Sequence, residues 1–268
     1  MPAPIRDLAL LSDCQSAALV TRDGTVVWWP APRFDSSSAL LDADAGHWSV
    51  RPAGDFVAQH RYLPGTLVVE TTMRGASGAL RLTDALALAP GARGHEMCRE
   101  VPCALLRVAE AIAGEVDVEL DCVPRPEYGL AVPHLASTDG GTATVGGPEH
   151  LFLRGMQPLE VKGGHVRARL TLRPGERAGW ALQRAPGMFA APPSRLDPIP
   201  ALEDTVRAWR SWAELHQGYE GCHREAVHHA GLVIQRLTYQ PTGAVVAAPT
   251  SSLPEAALTE AEKRLVAA

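Results

Sequence analysis

Arg33, Phe34, Asp35 and Ser36 follow directly on the aromatic run Trp28-Trp29-Pro30. A guanidinium, a ring and a carboxylate on one short loop can bind a sugar. The charged groups would hydrogen-bond hydroxyls, and the ring would stack on the apolar face. The same Arg33–Asp35 pair can instead pin a Pro-rich loop, and residue types alone leave both open. Four histidines, His216, His223, His228 and His229, gather near the C-terminal end. His228 and His229 are adjacent, so on a helix they point about 100° apart. Two helical ligands of one ion need a spacing of i, i+3 or i, i+4. A role on a helix surface or in helix packing is expected for them, and no metal site.

The five cysteines are Cys14, Cys98, Cys103, Cys122 and Cys222. They form no tight framework and read as small buried hydrophobes in a reducing compartment. Cys98 and Cys103 lack a second ligand pair at zinc spacing. The sequence has no Walker loop, GxGxxG after a strand, GxSxG elbow, HExxH or EF-hand loop, and no cofactor is expected. Gly146-Gly147 and Gly163-Gly164 read as turns. Trp48 and Tyr128 read as core or interface aromatics.

The elements that must position these residues are mostly strands up to about residue 190. Ala17–Arg22 and Thr25–Trp29 flank Asp23-Gly24, a hairpin signal because type I′ turns need positive φ. Val116, Val118, Leu120 and Cys122 alternate with Asp117, Glu119 and Asp121, which gives a strand with one wet face. Val166, Ala168, Leu170 and Leu172 repeat the pattern, and Arg173-Pro174-Gly175-Glu176 closes a turn. Thr66–Met73 and Ala79–Leu88 are further strands. Short strands with frequent turns predict an antiparallel sandwich, and the lack of βαβ alternation excludes a Rossmann fold.

The texture then changes. Pro186, Pro192, Pro193, Pro198 and Pro200 read as a linker. Ala201–Gln217 reads as a helix, with Trp209 and Trp212 on one face near Leu202, Val206 and Leu215. A second helix is expected over about 222–238, with an apolar stripe of Val227, Ala230, Ile234 and Leu237. Tyr239-Gln240-Pro241-Thr242-Gly243 ends it, and 255–268 could form one last helix.

Hydrophobic residues make up 46% of the 268, enough to exclude a disordered chain. Gly and Pro account for about one residue in six, which argues against a helical bundle or coiled coil. The net charge is −5 and no basic stripe is present, so no nucleic-acid partner is expected. The first thirty residues lack a signal pattern, and no apolar run approaches about 18 residues. No membrane partner is expected, and the cytoplasm is the expected location.

Two stretches carry a resemblance. The first is Pro4-Ile5-Arg6-Asp7 to Leu10, Asp13-Cys14-Gln15-Ser16-Ala17-Ala18-Leu19-Val20, Asp23-Gly24, Trp28 and Pro32-Arg33-Phe34-Asp35-Ser36. Arg61-Tyr62-Leu63-Pro64-Gly65-Thr66 and Leu82-Thr83-Asp84 continue it. The second is Arg224-Glu225-Ala226-Val227, Leu237-Thr238-Tyr239, Pro241-Thr242-Gly243-Ala244 and Ala247 to Glu255. In this order they resemble the bacterial trehalases and glucoamylases of glycoside hydrolase family 15.

The resemblance implies a mainly β fold: an antiparallel, supersandwich-like β-sandwich over 1–195, a helical linker over 196–221, and over 222–268 the truncated start of an (α/α)6 barrel. In the family that barrel holds two carboxylates, about 6.5–9.5 Å apart, that hydrolyse an α-glucosidic bond with inversion. From Cys222 onward the sequence is far shorter than the ~200 residues that twelve helices and their loops need. Neither catalytic carboxylate of the family has a counterpart in this sequence, so no catalytic residue is expected. The resemblance makes Arg33, Phe34 and Asp35 rim residues facing the barrel mouth, with an α-glucoside or trehalose as ligand. It implies a non-catalytic N-terminal module in carbohydrate metabolism. The alternatives are half of a split glycosidase, completed by a barrel polypeptide docking on 222–238, or a stand-alone glucan-binding sandwich.

Overall fold

The computed structural model describes residues 5–38, 40, 46–145, 150–185, 191–216 and 218–249. The expected last helix over 255–268, and the resembling residues beyond Pro249, lie outside the described residues. In chain order the first strands are β1 (Ala9–Ser12), β2 (Ala17–Val20), β3 (Val26–Trp28), β4 (His47–Pro52), β5 (Phe56–Tyr62), β6 (Val69–Gly75) and β7 (Gly78–Leu86). Then come β8 (Ala104–Gly114), β9 (Val116–Val123), β10 (His134–Thr138), β11 (Gly141–Val145), β12 (Leu151–Gly155), β13 (Glu160–Lys162), β14 (His165–Leu172) and β15 (Arg177–Arg184). Two helices, α1 (Pro198–Leu215) and α2 (Arg224–Arg236), precede a small hairpin of β16 (Thr238–Tyr239) and β17 (Ala244–Val245).

The first sheet has seven strands in the order β1-β2-β3-β4-β9-β14-β13, and the second has eight in the order β10-β11-β12-β15-β8-β7-β6-β5. Every pairing that builds them is antiparallel. The expected mainly β sandwich is the observed architecture. The alternation at Val116–Val123 and His165–Leu172 comes out as two paired strands, with Leu120 opposite Ala168 and Val118 opposite Leu170. Their inward residues Val118, Leu120, Val166 and Leu172 are buried in the layer between the sheets.

The Asp23-Gly24 signal marks the β2–β3 turn. Gly24 takes φ +77°, and its Cα side faces Met73, so a side chain there would meet both strain and the core. The main core lies between the sheets and includes Leu11, Trp29, Trp48, Leu80, Leu105 and Trp180. A charged pair crosses this layer. Asp84 on β7 and Arg107 on β8 stand directly opposite each other and are fully buried. The Arg107 guanidinium also donates to the Trp48 and Gly24 carbonyls of the first sheet and lies over the Trp48 ring. That satisfies donors which burial would otherwise leave costly.

A third layer is α1, packed on the outer face of the second sheet. Leu202, Ala208, Trp209, Trp212 and Ala213 join Leu88, Leu106, Val108 and Ala181 in a second apolar cluster. The helix starts earlier than its expected start at Ala201. Pro198 and Pro200 lie in its first turn, where a missing N–H costs nothing, and the Asp197 carboxylate caps the Ile199 N–H at 3.2 Å. Leu215, expected on the packed face, is exposed.

Candidate functional site

The Arg33–Ser36 loop leaves the end of β3 through Trp29, whose N–H donates to Ser38 Oγ at 3.1 Å. Its own turn is closed by Ser36 N–H to the Arg33 carbonyl at 3.0 Å, and by Arg33 N–H to Ser36 Oγ at 3.1 Å. Arg33 and Asp35 stand outward, with side chains 56% and 70% exposed, and clasp each other through two hydrogen bonds of 2.9 and 3.0 Å. Phe34 does the opposite. It is buried among Ala17, Leu19 and Trp28, and its N–H donates to the Gln15 carbonyl at 2.9 Å. The loop thus presents its two charged groups on an anchor made by its ring.

Beneath it sits the β1–β2 turn. Asp13 Oδ1 accepts from the Gln15 and Ser16 N–H groups at 2.9 and 2.6 Å. Burial pushes the Asp13 carboxyl up to about 6, a rise that these hydrogen bonds only partly offset. The C-terminal segment closes on the same turn. Ser12 Oγ donates to the Arg236 carbonyl at 2.8 Å, Gln240 N–H donates to the Cys14 carbonyl at 2.8 Å, and Tyr239 meets Phe34 edge-on at 6.2 Å. The two stretches singled out in the sequence, about 200 residues apart, therefore meet at one corner of the sandwich.

The profile of the family described as "Trehalase-like, N-terminal" matches residues 1–169. The chain belongs to the trehalase-like N-terminal family. It is 32% identical over 279 residues to a trehalase of Mycolicibacterium smegmatis, covering 94% of this chain and 41% of that protein. A trehalase of Mycobacterium tuberculosis is also 32% identical, with 94% of this chain and 40% of that protein covered. One from Thermoplasma volcanium is 28% identical, with 90% and 39% covered. The chain spans about two fifths of the length of these curated relatives.

In this trehalase-like domain a cleft of about 480 Å³ adjoins the corner. Tyr62 at the end of β5 with Pro64 and Thr66 of the turn after it form one wall, Trp212 of α1 and its C-cap His216 another, and Val227, His228, His229 and Leu232 of α2 the third. Tyr62 is fixed by its hydroxyl, which donates to the Leu10 carbonyl at 3.1 Å and accepts from Leu10 N–H at 2.8 Å. Trp212 Nε1 and His228 Nε2 point into protein without a hydrogen-bond partner among the described residues. His229 lies against Tyr62 and His216 against Trp212, so these histidines pack on aromatic rings. His223 is exposed ahead of α2.

Trp48 is a core residue, as its type suggested, and Tyr128 lies in a turn at φ +57°. Among the described residues no group of three or more His, Cys, Asp or Glu stands close enough to hold a metal ion. None of their helices is long and apolar enough to cross a membrane. The cleft had no sequence signal of its own. Its walls come from three distant elements: Tyr62 to Thr66, Glu225 and Val227 belong to the two resembling stretches, and Trp212, His216, His228 and His229 stand out by type alone, but nothing in their spacing brings them together.

Proposed function

We propose that this chain is the N-terminal, non-catalytic module of a trehalase- or glucoamylase-like hydrolase of glycoside hydrolase family 15, acting on trehalose or a related α-glucoside in the cytoplasm. In this reading 1–195 is the sandwich, 196–221 the helical linker, and 222–268 the start of an (α/α)6 barrel that supplies both catalytic carboxylates. The observation that carries it is the outward face of α2. At about 100° per residue, Val227, Ala230 and Ile234 share one side, and all three are exposed, Ile234 by 58%. Leu232, on the other side, is seated against the sandwich. A helix with an apolar face left open marks an interface. Roughly three fifths of the Mycolicibacterium relative lies outside the match, which supports a barrel as the partner that covers this face.

Arg33 and Asp35 are then the sandwich's contribution to the rim of the barrel mouth, with Phe34 as the anchor that sets their height. Because both side chains are more than half exposed, the ion pair is worth little and can exchange one partner for a sugar hydroxyl at small cost.

The test is complementation. The purified chain alone is expected to release no glucose from trehalose or maltose. Mixed with the barrel region of a mycobacterial relative, it is expected to bind and to restore hydrolysis. Ile234→Asp should abolish restoration, while Arg33→Ala should raise KM with assembly intact. Glucose release by the chain alone, at a rate that survives repurification, would overturn the non-catalytic assignment. Complementation untouched by Ile234→Asp would overturn the docking face.

A further inference from the structure

Cys14 and Cys98 are 84 residues apart in sequence, and their sulfurs stand 2.7 Å apart, both buried and both free thiols. Their segments are already tied together. The Gln15 side-chain amide donates to the Cys98 carbonyl at 3.0 Å, while the Cys14 N–H donates to Ser12 Oγ at 3.0 Å within its own turn. Cys14 takes φ +64°, a left-handed conformation that a non-glycine residue adopts only where its surroundings impose it. Nothing in the trehalase-like reading uses this pair. We propose that Cys14 and Cys98 form a redox modification site that closes to an intrachain disulfide on reaction with a peroxide, under the control of α2.

The control follows from what covers the sulfurs. The Gln235 side chain on α2 donates to Cys14 Sγ at 3.6 Å, and Gln240 beyond it binds the Cys14 carbonyl. Leu232 is the one residue of α2 that is buried. An element with so little buried surface opens locally at low cost compared with the core. With α2 seated, no peroxide reaches either sulfur. The hydrogen bond to Cys14, burial and the nearby Asp13 also hold the Cys98 thiol well above the ordinary thiol range, which suppresses attack from the closed state.

With α2 lifted, the deprotonated Cys14 sulfur attacks a peroxide oxygen. An S–O bond forms, the O–O bond breaks, and the departing hydroxide takes up the proton Cys14 released, leaving as water. The Cys98 sulfur then attacks the Cys14 sulfur. The S–S bond forms, the S–O bond breaks, and the hydroxide leaves as water with the Cys98 proton. Two thiols lose two electrons and two protons, and one hydrogen peroxide becomes two waters.

The experiment treats the reduced full chain with hydrogen peroxide, blocks the remaining thiols with N-ethylmaleimide, and maps non-reduced peptides by mass spectrometry. The expected product links the Cys14 and Cys98 peptides, is two hydrogens lighter than the reduced pair, and reverts with dithiothreitol. Tm should rise by about 5 °C or more on linkage and fall back on reduction. Cys98→Ala should abolish the linked peptide. Leu232→Ala, which loosens α2, should speed linkage at least about tenfold.

Cys14 and Cys98 still fully alkylated after denaturation, once the exposed Cys222 has been consumed, would overturn the site. So would either cysteine paired elsewhere. A linkage rate unchanged by Leu232→Ala would overturn the control by α2.

Discussion

The two helices carry the same kind of pattern and meet opposite fates. Along α1, Leu202, Ala208, Trp209, Trp212 and Ala213 face the second sheet and are buried there. Along α2, Val227, Ala230 and Ile234 make an equally regular stripe, yet they stay exposed, Val227 at the edge of the cleft, and Leu232 alone is buried. The difference lies in what each stripe meets. The outer face of the second sheet is itself apolar and waits for a helix. The corner that receives α2 offers carbonyls, hydroxyls and one buried carboxyl instead, so α2 is held there by Ser12, Cys14 and Gln235 contacts of low apolar content. Amphipathicity tells that a helix will dock and leaves open on which of its faces, because a polar face can be seated by hydrogen bonds while the apolar one waits for something larger.

The largest loss is expected at α1. Trp209 is almost wholly buried between α1 and the second sheet. Trp209→Ala should cost about 3–5 kcal/mol, because the sheet cannot collapse into the space of an indole. Urea melts followed by circular dichroism check it. A loss no larger than that of an exposed alanine substitution would mean that α1 is an appendage like α2.

How much of this was legible in advance depends on how many sides of an element face protein. β9 and β14 each have one wet face, so Asp117, Glu119, Arg167 and Arg169 alternate with apolar residues and the strands are readable. The longest strand, β8, gave no such signal. Leu105, Ala109 and Ala111 point to the layer between the sheets, while Ala104, Leu106 and Val108 point to α1. A strand covered on both faces reads as a continuous apolar run, which periodicity does not separate from a buried helix. The same cover hid Arg107, a charge that only the opposed Asp84 and two carbonyls of the other sheet make tolerable.

At the candidate site, residue types pointed to Arg33 and Asp35, and the structure leaves both exposed. They could not show that Phe34 turns inward onto Ala17, Leu19 and Trp28, nor that Tyr239, some two hundred residues away, meets it there. The sulfur pair at Cys14 and Cys98 was illegible for the same reason. Spacing along the chain carries no information about two turns of different sheets.

A second test acts on the seat of α2. The Asp13 carboxyl sits at about 6 against an ordinary 3.8 in the unfolded chain. The folded state therefore holds the proton more tightly between these two values, so stability falls as pH rises across that window and is level above it. Asp13→Asn keeps the Oδ1 acceptor for Gln15 and Ser16 and removes the buried charge. It should stabilise the fold at pH 7 by at most about 3 kcal/mol, with the gain vanishing toward pH 3.8. Thermal melts of both proteins across that range check it, and a gain that grows toward acid would mean that the Asp13 pKa is lowered by folding.

Leu232→Ala sharpens the contrast further. It removes the single apolar anchor of α2, and about 2 kcal/mol of docking energy should go with it. The loss should be local. Hydrogen exchange should quicken in 224–245 while β8 and α1 keep their protection and the main melting transition hardly moves. Exchange that quickens everywhere would show that α2 belongs to the same cooperative unit as α1.

The smallest effect on stability carries the clearest message about function. Ile234 is 58% exposed on the outward face, so Ile234→Glu removes nothing from the core and should shift stability by no more than about 0.5 kcal/mol. The side chain stays in water, and glutamate is as good a helix former as isoleucine or better. What should change is association. The chain with the native stripe should bind a hydrophobic dye and self-associate as concentration rises, and the variant should do neither, as judged by light scattering at matched concentration. If Ile234→Glu instead lowered stability by several kcal/mol, the outward face would have to be packed in solution, and the asymmetry between the two helices would disappear.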